Sequence, residues 1–418
     1  MKLPVKFILV FLLLWTILLL VTFNRHIKRK PFTYTSEIYA DKAGYYVYLP
    51  ATFIYHWDGT LMPDSIPAKI GNSFQLQGDK ITTKYPMGTA IMLAPFWLVN
   101  HYFIAGSKDG FSFSYTLISP VAATFYVLLG LFISYFCFKK FTTHVHSILL
   151  TALLFFGTNL FYYTVLETGM SHSFSFLWFS SLLYLILKIK DQQYLQTSDA
   201  ILLGVTLGAI LLIRPINALF CLPYFLLLFI GNKNFVSTFT SLFLSGKSII
   251  VYILPIVLYS PQLYYYTIAP AHSFKGFVYV SAPKILEVLF SPENGMLLYT
   301  PILIFLIIYY LSVTKKYAPY TIPALLLISS VVCLYSMWWS YELGCALGHR
   351  SIVEFYTILF LPLSVISMSD KLKTLFISVC VICIVYNLKL SFTYDECFGG
   401  SGDWDWQTYL SLLLSNIK

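Results

Sequence analysis

Long apolar runs separated by short polar connections organise this chain. Runs at 5–23, 111–137, 144–164, 173–189, 199–213, 216–230, 248–266, 297–313, 318–335, 351–368 and 373–388 approach the roughly 20 residues that a helix needs to cross a bilayer. Lipid leaves the backbone no hydrogen-bond partner but itself, so each run reads as a helix. The expected fold is an all-α integral membrane protein, a bundle of about 11–12 transmembrane helices. The run at 199–213 is short and extends into its flanks or tilts. The opening run is followed by no small-residue cleavage pattern and reads as a retained first helix, not a signal. After Leu390 the chain is polar through Asp405, then apolar from Tyr409 to Leu414, too short to span and suited to the outer interface. The expected organisation is one membrane domain, 1–390, carrying a first loop, 24–86, and a short tail, 391–418. No internal repeat of 20–50 residues divides it.

Paired lysines at 139–140, 188 and 190, 315–316, and 371 and 373 mark cytoplasmic ends of helices. That places the connections 165–172, 267–296 and 336–350 together on the outer side. The stretch 87–105 decides whether the first loop joins them. If it re-enters or lies in the interface, the loop is outside; if it spans, parity sends the loop inside. Arg25, Lys28, Arg29 and Lys30 outnumber Lys2 and Lys6, so charge alone favours the inside.

Composition agrees with a membrane protein: 58% of the 418 residues are apolar, 18% aromatic and only 11% charged. The formal charge of +9 is spread over short groups at helix ends, which speaks against nucleic acid as a partner. Of seven cysteines, Cys380 and Cys383 form one CxxC inside an apolar run, without the two further ligands a metal site needs.

Unusual polar residues gather in the connections. Asp41, in Tyr39-Ala40-Asp41-Lys42-Ala43-Gly44-Tyr45-Tyr46, suits either a proton acceptor for a hydroxyl or a solvated helix cap. Lys84, before Tyr85 and Pro86, suits a lipid phosphate or a plain interfacial position. Glu167 and His172 lie five apart, off one helix face unless a turn intervenes. Arg214-Pro215 interrupts an apolar stretch as a turn, yet an outer-side arginine against the charge rule raises a phosphate-binding alternative. The connection holding His272, Lys275 and Ser291-Pro292-Glu293-Asn294-Gly295 is rich in turn residues. Trp338 and Trp339 begin a cluster with Glu342, His349 and Arg350, where indoles anchor or stack on sugar and the guanidinium grips phosphate.

Taken together, these segments resemble the protein O-mannosyltransferase-like family of polyprenyl-phosphate-sugar-dependent membrane glycosyltransferases, a bacterial branch of the GT-C fold. Asp41 with Tyr45 looks like the family's acceptor motif, Lys84-Tyr85-Pro86 like its lysine/proline motif, and Glu167 like its second-loop acid. Residues 291–301 and 338–350 look like its later outer motifs. The first-loop motif is often Asp-Glu, whereas Lys42 stands second here.

The resemblance implies transfer of a sugar from a polyprenyl-phosphate donor to a saccharide, lipid or protein hydroxyl, outside the bacterial cytoplasmic membrane and with inversion. Asp41 is the expected base and Glu167 orients the acceptor or a cation. Tyr45, Tyr46, Lys84, Tyr85, His172, Arg214, Trp338, Trp339, Glu342, His349 and Arg350 are the expected substrate contacts, with Lys84 and Arg350 on the leaving phosphate. No cofactor is required, and a divalent cation stays open. A transporter of lipid-linked saccharides is the alternative; it too needs many helices and phosphate-binding arginines.

Overall fold

A computed structural model describes the chain apart from residues 1–4, 28–35, 65, 67–73, 191, 193–194, 232–234, 270–275, 346, 395–397, 399 and 417–418. It is a helical bundle, with one addition to the expected all-α class: a hairpin in the first loop pairing Phe74–Gln77 with Lys80–Thr83. Among the described residues, six helices are long and apolar enough to cross a membrane: Val5–His26, Phe113–Lys139, Ser171–Lys190, Ser248–Ile268, Ile302–Ser336 and Asp370–Thr393. Shorter apolar helices, among them His144–Phe156, Thr197–Ile213 and Pro215–Phe229, complete the bundle.

Ile302–Ser336 contains two of the expected runs. Its dihedrals leave the helical region at Tyr317 (φ −119°, ψ 26°). Near one end Tyr299 touches Gly348, and near the other Tyr335 meets the His349 ring. Tyr320, near the middle, instead meets Phe141 and the Lys190 ammonium. Both ends therefore share one level and the chain reverses at the other, beside Lys315 and Lys316.

Packing also decides the stretch 87–105. Phe7 meets Phe132 and Phe136, whereas Trp15 meets Phe125 and donates to Thr124, so the first helix and Ile118–Lys139 run antiparallel. The chain thus leaves the first helix and enters the next span at the same end. Between them, Gly88–Val99 and a wider turn, Asn100–Ile104, stay within the first loop. Trp97 donates to the Tyr46 hydroxyl (2.7 Å), and Tyr46 and Tyr55 donate to the carbonyls of Gly110 and Asp109. The stretch therefore does not cross.

Lys140 donates to the Leu187 carbonyl, which gathers lysines 139–140, 188 and 190 at the end opposite the first loop. The charge rule assigns that end to the cytoplasm. Cys345, at the first-loop end, is disulfide-bonded, which fits an oxidising outer compartment. The tail forms Trp406–Leu414 and docks at this same end, Tyr409 bonding the Tyr386 hydroxyl and meeting the Tyr299 ring edge-on.

Candidate active site

Asp41 stands on Ala40–Tyr46, a two-turn helix of the first loop. Ala40 before it holds φ at 46°, a left-handed conformation that costs a non-glycine residue about 1–3 kcal/mol and is kept where surrounding contacts enforce it. Thr83 bonds the Gly44 carbonyl (2.9 Å) and brings Lys84-Tyr85-Pro86 alongside. Gly88 then packs directly on the backbone just before Arg214: an added Cβ would lie 2.4 Å from Leu212 C and Ile213 N. Only glycine permits that approach.

Asp41 is gripped from two sides. Arg350 Nη2 donates to Oδ2 at 2.8 Å, and the Tyr85 hydroxyl donates to Oδ1. Burial pulls this carboxyl upward, but the Arg350 charge, hydrogen bonds from Tyr85 and Arg350, and the Lys84 charge outweigh it, holding the group below its ordinary 3.8. Asp41 is therefore ionised. The Tyr45 ring lies 4.7 Å from that of Tyr85, and its hydroxyl accepts from Ser171 (3.2 Å).

Beside this pair lies a buried relay that aims Arg214. Its Nη1 donates to His172 Nε2 (2.7 Å) and its Nη2 to the Tyr335 hydroxyl (2.8 Å). An arginine only donates, so His172 accepts at Nε2 and carries its hydrogen on Nδ1, which donates to Glu354 Oε2 (2.6 Å). Asn217 donates to Oε1 of the same carboxylate (2.9 Å). The side chains of Asp41, Arg350 and Arg214 remain 31%, 14% and 15% exposed, while His172 and Glu354 behind them are 2% and 1% exposed. The arrangement is an opening lined by one carboxylate and two guanidiniums, with the neutralising groups set behind.

Glu167 is engaged elsewhere. Lys42 Nζ lies 2.9 Å from its carboxylate and 3.9 Å from Glu37, which also pairs with His26 (3.2 Å) and accepts from the Gly169 N–H. These residues do not suit a divalent cation, because an ammonium fills the position facing Glu167. Among the described residues no group of three or more His, Cys, Asp or Glu side chains is placed to hold a metal ion.

Other expected contacts lie apart. Tyr46 is buried against Trp97 and Gly110, away from Asp41. Trp338 packs on Phe277, and the Trp339 N–H donates to Gly276. His349 bonds Ser351 and the Tyr341 carbonyl, fixing the turn before Arg350. Glu342 takes Ser340 and lies near Glu293. His272 and Lys275 fall outside the described residues. Glu354, Asn217 and Tyr335 were not anticipated. An acid within the apolar run 351–368 was the signal for the first.

No family model and no curated protein matches the chain. Solved structures give distant likenesses. One is the archaeal oligosaccharyltransferase AglB from Archaeoglobus fulgidus in complex with an inhibitory peptide and a dolichol-phosphate, at 12% identity and TM-score 0.48, covering 96% of this chain and 56% of that one. Another is the Archaeoglobus fulgidus oligosaccharyltransferase tethered with an acceptor peptide, at 11% and 0.48, covering 90% and 54%. A third is that enzyme's complex with Zn and sulfate, at 13% and 0.45, covering 96% and 52%. The chain spans about half the length of these chains, and likeness this distant assigns no chemistry to it.

Proposed function

We propose that this protein is a membrane-embedded glycosyltransferase of the GT-C type. It moves a sugar from a polyprenyl-phosphate donor to a hydroxyl-bearing envelope acceptor at the outer face of a bacterial cytoplasmic membrane. The observation that carries this reading is the Asp41–Arg350 pair, with the Lys84 charge acting on it and Arg214 joined to its neighbour Tyr45 through Ser171. A base and several cations together suit a reaction that takes a proton at one atom and releases a phosphate at another.

In the reaction the acceptor oxygen attacks the anomeric carbon and gives its proton to Asp41. The bond from that carbon to the phosphate oxygen breaks, and its electron pair leaves with the polyprenyl phosphate. Attack opposite the leaving group inverts the configuration. Donor phosphate competes with Asp41 for Arg350, which frees a carboxylate lone pair for the acceptor. Arg214 is held ready by His172 and Tyr335, so little ordering is needed when phosphate arrives. Lys42 meets Glu167 without an external cation, and no step is routed through a metal.

Incubating purified protein with a labelled polyprenyl-phosphate sugar and fractionated envelope acceptors tests the reading. Label should pass to an acceptor fraction. Movement of intact donor across a vesicle membrane, without transfer, would identify a transporter instead.

A further inference from the structure

A cavity of about 620 Å³ lies between the first-loop hairpin and the outer end of Ser248–Ile268, away from the Asp41 opening. Its size falls within the roughly 300–1,000 Å³ of small-molecule sites. The two walls differ in chemistry. On the hairpin side stand Asp58, Asp79 and Lys80, with Trp57 and Tyr265 forming an aromatic corner, ring centroids 5.4 Å apart. The helix side offers Tyr264 and Ile268, 68% and 59% exposed, and continues into the lipid-facing surface of an apolar span.

Two further observations mark the cavity as built. His56 and Trp57 hold φ at 49° and 65°, consecutive left-handed positions without a glycine. The Trp57 backbone is pinned there by its N–H to Ala51 O (2.8 Å) and by Ile81 N–H to its carbonyl (3.1 Å). Strain of this kind persists where contacts over-determine it. One short segment also joins the cavity to the proposed chemistry: Thr82 and Met87 line the cavity, while Tyr85 between them bonds Asp41. The Tyr265 hydroxyl, on the cavity wall, receives the Thr83 N–H (2.8 Å).

Aromatic faces take the C–H face of a pyranose, and carboxylates with an ammonium take its hydroxyls. An apolar helix surface takes a hydrocarbon chain. We infer that this cavity is a binding site of its own for a saccharide carried on a lipid, entering sideways from the outer leaflet. The inference goes beyond the glycosyltransferase reading, because it assigns a ligand to a cavity that Asp41 does not line.

The test is a binding experiment on the full chain in phosphatidylcholine nanodiscs, followed by native mass spectrometry. The probes are monoglucosyl diacylglycerol, diacylglycerol and methyl glucoside, with undecaprenyl phosphate as a separate donor-carrier probe. The glucolipid should bind about tenfold more tightly than either of its parts. Trp57→Ala, and independently the exposed-turn pair Asp79→Asn with Lys80→Gln, should each erase most of that advantage while undecaprenyl phosphate binds as before. Equal binding of glucolipid and diacylglycerol, or glucolipid binding indifferent to both variants in folded protein, would overturn the inference. Preserved selective binding in a protein that transfers no sugar would support the cavity and count against the catalytic reading alone.

Discussion

Arg350 reaches Asp41 across 309 residues of sequence and closes on its carboxylate at 2.8 Å. The contact ties the first loop to the connection before the last spans, so the candidate base and a candidate phosphate ligand meet only when the whole bundle is assembled. It also sets the ionisation of Asp41, from which a pH dependence follows.

With its folded value below 3.8, Asp41 contributes stability that is present above 3.8 and is lost as pH falls through the lowered value. Activity that needs the carboxylate should persist to equally low pH. Arg350→Gln removes the positive charge that lowers Asp41 most, so the acid limb of the rate profile should move to higher pH. An acid limb in the same place for both proteins would show that another group controls it.

Arg214 should matter for the donor and not for proton transfer. Arg214→Gln removes a charge-assisted contact of about 1.5–3 kcal/mol, a loss of roughly tenfold or more in affinity for undecaprenyl phosphate. Glu354→Gln should act differently, because it removes the buried carboxylate that holds His172 behind Arg214, at a cost of about 3–5 kcal/mol in stability. Thermal denaturation beside carrier-phosphate binding separates the two effects.

Lys42 is predicted to make the site indifferent to divalent ions. Wild-type protein should keep its midpoint of unfolding and its transfer rate in chelator and in added manganese. Lys42→Met breaks a buried ion pair and should cost about 3–5 kcal/mol, whereas Lys42→Arg retains the charge and most of the stability. Loss of wild-type activity in chelator, restored by manganese, would contradict the assignment of this position to the ammonium.

Beyond the candidate site, Glu293 is pushed up to about 7 by burial, by the charges of Glu342 and Asp403, and by its hydrogen bond with Asp403. The bonded form is the protonated one. Since the folded chain holds this proton more tightly, the contact's contribution is full at low pH and fades as pH rises through about 7. The protection of Trp406–Leu414 against hydrogen exchange, corrected for the intrinsic base-catalysed rate, should therefore fall as pH rises from 4.5 to about 7, and Glu293→Gln should remove that fall.

The apolar runs were legible because lipid imposes both length and composition, and Lys315-Lys316 marked the reversal at Tyr317 within one long helix. The stretch 87–105 was not legible, since length permits either topology and only the antiparallel packing of Phe7 and Trp15 on the next span decides it. Helical spacing would have separated two candidates: Tyr45, four residues after Asp41, shares its face, while Tyr46 turns toward Trp97. Asp41, Arg350 and Arg214 could be singled out by residue type, but their convergence depends on tertiary contacts. Glu354 was hidden by position, counted as one residue of an apolar run when its burial is what orients His172.

The most direct measurement is sugar transfer by Asp41→Asn beside binding of the labelled donor. The substitution keeps size and hydrogen-bonding reach but removes the proton acceptor, so turnover should fall by roughly 10²–10⁴ while donor still binds. Glu167→Gln, acting on a residue already held by Lys42, should lose less turnover. Near-normal transfer by correctly inserted Asp41→Asn would contradict the assignment of the base, and with it the central claim.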